Sequence, residues 1–487
     1  MKATTAFLIL RNMNADLEQL LHLESLSRQL DPGQSLRDHL TAMSFTNAND
    51  FINSLPARKA YVKADCPELR NLEVSDEGKS MDLLLKLIQN EVHHAGINAA
   101  SGGHLGYIPG GGLWLSSMGD MLAAVGNRYA GLAFSGTGAV IMENQLLRWL
   151  CQLVGYPATA HGNIASGGSI ATLIALTTAR DHHQVNSVNV RNSVLYFTSQ
   201  AHHCIHKAIH ILGLSEAVIR EVPVNEDYQM DAVALSEMIS GDKMNGLKPF
   251  LIIATAGTTN TGAIDPLDTI ADIAKVHGLW YHVDAAYGGF FMLLEEQKEK
   301  FKGIERSDSV VLDPHKGMFL PFGIGVVLVK DRMALLKAHH ADAAYMVDTE
   351  GEEDINPADC GPELTKHFRG MRMWLPLHYH GLDAFRACLR EKLLLCRYFH
   401  REIQRLGFET GPEPSLSVTY YRYPAADKND FNKRLVEKLH QDGRIFFSST
   451  ILNGEVWIRC AILSFRTHLE QVQLGLQMIK ENLEQLK

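Results

Sequence analysis

The sequence predicts an α/β protein: a large domain built on a mostly parallel sheet, a helical extension before it and a smaller α+β domain after it. Three observations carry this expectation. Apolar runs alternate with helical segments through the middle of the chain, at Val194 to Thr198, Phe250 to Thr255, Leu279 to Val283 and Val310 to Leu312. Unbroken apolar runs of this kind are the mark of strands covered on both faces, as in a parallel sheet. Past about Gly370 the pattern turns to long amphipathic helices with short strands among them, and before Gly102 leucine stripes at helical spacing dominate.

A chain of 487 residues exceeds what one small core serves, and the expected domains span 1–102, 103–370 and 371–487. Hydrophobic residues make up 46% and charged residues 21%, which is ordinary for a folded chain. The net charge of −9 gives no general attraction to nucleic acid or anionic membranes, so the expected partners are small molecules and a second copy of the chain. Seven cysteines (Cys66, Cys151, Cys204, Cys360, Cys388, Cys396, Cys460) lie scattered without C-x-x-C spacing, which argues for a reducing compartment. The apolar run Ala3 to Leu10 is short for a signal peptide, and no stretch is long enough to span a bilayer. A cytoplasmic location is expected.

Taken in order, Asn14 is placed to cap a helix carrying Leu17, Leu20, Leu21 and Leu30, and a second amphipathic helix is expected from Met81 to about Asn98. These stripes read as packing or dimer surface. Gly102 to Gly112 is a glycine-dense loop without helical or strand period. A helix is expected from Gly138 to Val154, then a glycine turn, Ser166-Gly167-Gly168-Ser169, opening a small-residue helix that ends near Arg180. In the last domain, helices are expected over Trp374 to Leu406, Phe431 to Asp442 and Leu469 to Leu486, with strands at Ser417 to Tyr421, Ile445 to Phe447 and Val456 to Cys460.

The chemistry gathers around Asp313-Pro314-His315-Lys316. Pro314 has no N–H to give a sheet, so the strand ending at Leu312 should deliver His315 and Lys316 to a loop before the next apolar run, Ile324 to Val329. Burial there would favour a neutral, nucleophilic amine able to form a Schiff base. The alternative is a lysine that reaches solvent or pairs with a carboxylate. Asp284 ends another strand in His282-Val283-Asp284-Ala285-Ala286 and is either a turn cap or the partner of a cationic heterocycle. Strand carboxyl ends are where open α/β sheets bind ligands, so Asp284 and Lys316 are expected to face one pocket.

Gly167-Gly168-Ser169 at a helix start offers backbone N–H groups, a hydroxyl and the positive helix end to a phosphate. Thr258 and Thr259 add hydroxyls. Ala201-His202-His203-Cys204-Ile205-His206 invites a zinc reading, but a fourth ligand and a C-x-x-C partner are missing. The other reading gives His202 a ring-stacking role. No G-x-G-x-x-G follows a strand, which speaks against a dinucleotide-binding oxidoreductase.

A phosphate cradle, a stacking histidine, a strand-end aspartate and a strand-end lysine together suggest pyridoxal 5′-phosphate. With His282 to Gly289, Asp313 to Lys316, Ala254 to Thr259 and Ala201-His202 in this sequence, the chain resembles the group II pyridoxal-phosphate-dependent amino-acid decarboxylases from about Gly103 onward. Members act on aromatic amino acids, tyrosine, histidine, glutamate or diaminobutyrate. The resemblance implies fold type I with a seven-stranded sheet, in a homodimer with active sites at the interface. It implies that Lys316 carries the cofactor, that Asp284 sits at the pyridine nitrogen, and that His202 and Ala286 flank the ring. Gly168, Ser169, Thr259 and His315 match cofactor-contact positions, and Arg459 matches the position that holds the substrate carboxylate. Tyr107 is expected to line the pocket.

The expected reaction removes the α-carboxyl group of an L-amino acid to give an amine and CO2. Ala341 to Met346 leads into an acidic segment that reads as a lid or as a plain solvated loop, and Tyr345 matches the family's lid tyrosine, which gives a proton to Cα. Related aldehyde-forming enzymes carry phenylalanine there, so Tyr345 favours plain decarboxylation. The alternatives are an aldehyde synthase or other lyase of the same fold, and a non-catalytic metal-binding homologue. Two departures stand out. Asp313 replaces an asparagine of well-known members, and Ile108 and Gly110 replace bulkier or hydroxylated residues of aromatic-specific relatives, which speaks against a bulky aromatic substrate.

Overall fold

The computed structural model describes residues 16–340 and 354–486. They fall into two compact units: residues 1–57 with 63–96, and residues 58–62 with 97–487. The large sheet and the region past Gly370 share the second unit.

The first unit is helical. Residues 16–27 form a helix whose Leu17, Leu20, Leu21 and Leu23 are exposed. Helix α1 (Gln34–Ser54) follows, then α2 (Met81–Leu87), which Ser80 caps by accepting from the Leu83 N–H. The helix expected to reach Asn98 instead widens into a π-turn at Ile88–Val92. There the buried Glu91 accepts from the N–H groups of Glu68 and Leu69 at 3.0 and 2.6 Å, satisfying the start of a short helix.

The second unit is organised by a seven-stranded sheet. Its strands are β1 (His161–Ala165), β2 (Ser193–Thr198), β3 (Val218–Val222), β4 (Lys248–Thr255), β5 (Trp280–Asp284), β6 (Ser309–Leu312) and β7 (Gly325–Val329). Spatial order is β1-β7-β6-β5-β4-β2-β3. Pairing is parallel from β3 through β6, and β7 runs antiparallel to both β6 and β1. The sheet is thus mostly parallel, as the apolar runs predict.

Strand periodicity divides the core in two. Tyr196, Ile252, Tyr281, Val283 and Val310 face one side and pack with Leu146, Leu147 and Leu150 of helix α3 (Ala133–Val154). Leu195, Phe197, Leu251, Trp280 and Val311 face the other, against Ile174 and Ala175 of α4 (Gly168–His182) and Ile205 of α5 (Cys204–Ile211). Asp284 shares the parity of Trp280 and so points to the side of α4 and α5.

A four-stranded antiparallel sheet completes the unit: β8 (Glu409–Thr410), β9 (Val418–Arg422), β10 (Ser448–Leu452) and β11 (Glu455–Ala461), in the order β8-β9-β11-β10. The strand expected at Ile445 to Phe447 is displaced to β10, and Ile445 and Phe447 are core instead, in one cluster with Phe399, Leu435, Ile458 and Ile479. The long C-terminal helix runs Gly370–Arg405 but breaks at Gly381, where φ is 68°.

Candidate active site

Parallel strands deliver their carboxyl ends to one edge of the sheet. Past β2 come Gln200 and His202, past β4 Gly257 and Thr259, at the end of β5 Asp284, and past β6 Asp313. With Ser166 to Ile170 at the opening of α4, they line a cavity of about 370 Å³, into which Ala286, His315 and Lys316 also face. The loop expected after Pro314 is a single helical turn, Pro314–Gly317, because Pro314 at its first position needs no hydrogen bond and presets φ. That turn places Lys316 three residues after Asp313 on the same side: Nζ lies 3.0 Å from Asp313 Oδ2.

The neutral lysine expected from burial is therefore corrected. Burial pulls its pKa down, but Asp313 and then Asp284 outweigh this and hold it above the ordinary lysine value. Asp284 is fully enclosed; desolvation raises its pKa against the opposing pull of Lys316 and of the Ala286 N–H, which donates to Oδ1 at 3.1 Å. A buried carboxyl of this kind has an unmet demand for a cation.

His202 lines the cavity as a neutral imidazole, its pKa lowered to about 4 by burial and then by Lys316. The Cys204 N–H donates to its Nδ1 at 3.3 Å, so the ring proton sits on Nε2. His203 stacks on it obliquely, with ring centroids 4.2 Å apart, while His206 turns away to the edge of Phe197. Among the described residues no group of His, Cys, Asp or Glu is arranged to hold a metal. His315 Nδ1 bonds the Ile324 carbonyl, and its Nε2 lies 3.7 Å from Asp313 Oδ2. Gly168 has no room for a side chain: a Cβ would meet Asp313 Oδ2 at 2.7 Å and Oδ1 at 2.9 Å. Thr258, by contrast, is turned into its own loop, bonded to the Thr261 hydroxyl at 2.7 Å.

Two expected residues do not line this cavity. Arg459, on β11, spends its guanidinium on the Thr259 and Asn260 carbonyls and the Ser448 hydroxyl. Burial lowers its pKa to about 10. Tyr107 is 56% exposed, in a left-handed backbone conformation (φ 51°), with its N–H on the Ser448 hydroxyl. Nor do Ile108 and Gly110 shape the lining: Ile108 is core, and a Cβ on Gly110 would fall 2.0 Å from the His315 carbonyl oxygen. Tyr345 lies outside the described residues.

Sequence reading missed Thr172, Gln200, Cys204, Thr255 and Tyr287, which also line the cavity. Their signal is weak but present: Thr172 stands one helical turn past Ser169, and Cys204 two residues past His202.

The lining fits pyridoxal 5′-phosphate. The fifteen-residue helix α4 begins at the cavity with Gly168 and Ser169, a site for a phosphate. Asp284 meets the requirement for a partner to a ring cation, and Lys316 supplies the amine. Asp313 Oδ1 is buried without a hydrogen-bond partner among the described residues, which marks a polar site built for more than the chain itself.

Comparison with known proteins agrees. The pyridoxal-dependent decarboxylase conserved domain matches residues 65–423. The aromatic-L-amino-acid decarboxylase of Bacillus atrophaeus is 30% identical over 449 residues, covering 90% of this chain and 93% of that protein. Tyrosine/DOPA decarboxylase 5 of Papaver somniferum is 26% identical over 503 residues, covering 95% and 96%. In fold, Oryza sativa TDC solved with PLP and tryptamine superposes with a TM-score of 0.89 at 22% identity, covering 94% of this chain and 99% of that one. Mouse CSAD gives 0.85 at 23% identity, covering 93% and 99%. With a domain match spanning most of its length and a lysine-bearing cavity of the matching chemistry, this chain belongs to the pyridoxal-dependent decarboxylase family.

Proposed function

We propose that this decarboxylase acts on an aromatic L-amino acid, releasing CO2 from Cα and yielding the amine, with Lys316 as the cofactor lysine. Bound pyridoxal 5′-phosphate supplies an electron sink that accepts the pair left by the departing carboxylate. The observation that carries the residue assignment is the placement of Lys316, Asp284 and the start of α4 around one cavity. The aromatic class is supported by the names of the sequence relatives.

In this reading Asp284 holds a proton at the ring nitrogen by proximity of opposite charge. Gly168, Ser169 and the α4 N-terminus bind the phosphate, Thr259 and His315 flank it, and His202 and Ala286 orient the ring between them. Arg459, at the position that holds the substrate carboxylate in the family it resembles, is buried and bonded only to the neutral oxygens named above; to meet a substrate carboxylate it must release one of those bonds and turn past Thr259 toward the cavity. Tyr345, by its resemblance to the family's lid tyrosine, delivers the proton to Cα.

A cytoplasmic homodimer completes the proposal, with Tyr107 of each chain reaching the cavity of its partner. The outward display of this large aromatic side chain supports it, as does the absence of disulfides among the seven cysteines. The test is direct. Purified protein with added cofactor should absorb in the visible, borohydride should bleach that band, and peptide mapping should find the reduced adduct on Lys316. An adduct on another lysine would reject the assignment. A screen of amine release over the common L-amino acids checks the substrate class, and light scattering checks the dimer.

A further inference from the structure

Asp313 has no part in the proposed reaction, yet its carboxylate lies within contact distance of the reactive nitrogen. Its side chain is 3% exposed and Lys316 retains 19%, at a separation of 3.0 Å. The backbone fixes both residues: the Lys316 N–H donates to the Asp313 carbonyl at 2.8 Å, and the Asp313 N–H donates to the Ala286 carbonyl at 3.2 Å. The carboxylate also lies close against Gly168 of the opposite element, 2.7 Å from where a Cβ would fall. One oxygen faces Lys316 and the other has no partner among the described residues.

Resting on the reading of Lys316 as the cofactor lysine, we propose that Asp313 is a positioning residue that sets the protonation of the Lys316 nitrogen. It holds the amine as ammonium before the cofactor is bonded and keeps a proton on the same nitrogen afterwards. Bond formation needs the lone pair: the neutral amine adds to the cofactor carbonyl, a C=N bond replaces C=O, and one water leaves. An aspartate locked at contact distance opposes the first step and favours the protonated nitrogen in the product.

The other groups around this nitrogen do not take over that role. His202 and the Cys204 thiol are neutral at physiological pH, with pKa values moved by burial to about 4 and about 12. From α4 come the uncharged Ser169 and Thr172. His315 has its Nδ1 committed to the Ile324 carbonyl. Asp284 is the second carboxylate, and a cationic ring nitrogen would claim it. That leaves Asp313, its own side chain 3% exposed, as the counter-charge for the amine.

The experiment is a spectrophotometric pH titration of the loaded full-length enzyme, comparing wild type with Asp313→Asn, which keeps shape and loses charge. The midpoint for loss of the protonated chromophore should fall by about 1–3 pH units in the variant. As a second measurement, the rate at which full-length apoprotein takes up pyridoxal 5′-phosphate should rise with pH through neutrality in wild type. At pH 7 uptake should be faster in Asp313→Asn, by about tenfold for each pH unit that the amine's midpoint is lowered. An unchanged midpoint, or a wild-type uptake rate flat with pH, overturns the role of Asp313 while leaving Lys316 as the cofactor lysine. A wild type that never colours, with no adduct on Lys316, overturns both.

Discussion

The Arg459 guanidinium donates to the Thr259 carbonyl oxygen, so a buried cation of the small sheet grips the residue whose side chain lines the cofactor cavity. Arg459→Lys keeps a charge but loses the planar fork that spans Thr259, Asn260 and Ser448. In the proposed role, loss of one charge-assisted bond from the fork to the substrate carboxylate is worth about 1.5–3 kcal/mol. KM for the amino acid should rise at least about tenfold, and the cofactor dissociation constant by less. Equal losses in both would make Arg459 a scaffold residue alone. Steady-state kinetics beside cofactor titration decide.

Lys366 and Glu143 form a pair 2.9 Å apart with side chains 1% and 0% exposed. Lys366 Nζ also donates to Asn163 Oδ1 and the Ile164 carbonyl, both at 3.0 Å, and Glu143 Oε1 accepts from the Gly370 N–H. The network ties α3, β1 and the start of the long C-terminal helix together away from the cavity. Lys366→Met strands a buried carboxylate and should cost about 3–5 kcal/mol in urea unfolding. Lys366→Met with Glu143→Leu should recover part of that loss, because the unpaired charge is gone.

His104 is buried with both ring nitrogens lacking a partner among the described residues, and burial lowers its pKa from 6.5 to about 4. The unfolded chain protonates this ring below its ordinary pKa while the folded chain resists until the lowered one. Stability therefore drains as pH falls through that window, by on the order of 3 kcal/mol in all. Asp265, whose carboxyl burial raises to about 6, acts in the opposite sense over an overlapping range, so whole-protein curves blend the two. His104→Phe isolates the first. Between pH 7 and 5 the variant should lose about 2 kcal/mol less stability than wild type; parallel curves would show that His104 does not titrate with folding.

Tyr345→Phe should leave the visible cofactor band intact and divert product from amine to aldehyde. The oxidative route consumes O2 and water and releases CO2, ammonia and hydrogen peroxide, so oxygen uptake and peroxide yield measure it. Undiminished amine with no oxygen uptake would remove Tyr345 from the role of proton donor.

Much of the site is legible in the sequence. Asp284, Lys316 and the Gly168-Ser169 turn each follow a local signal, an apolar run or a glycine turn, and a parallel sheet gathers strand ends by its own symmetry. β1 and β3 were not legible. His161-Gly162-Asn163-Ile164-Ala165 lacks the β-branched run of its neighbours and becomes a strand through antiparallel pairing with β7. Val218-Ile219-Arg220-Glu221-Val222 is an edge strand that exposes Ile219 and Glu221 and turns Arg220 inward to pair with the buried Asp242. The cavity positions of Thr172 and Cys204 were hidden for a similar reason: their helices reveal them only once docked on the sheet.

The sequence alone determined the class of chemistry, because a lysine and an aspartate at strand ends beside a glycine-opened helix carry that information in short stretches of chain. The tertiary structure alone decided the charge state of Lys316 and the direction in which Arg459 reaches. Charge interactions among buried groups depend on ångström separations between residues such as Asp313, Asp284 and Lys316, and strand pairing and helix docking set those separations.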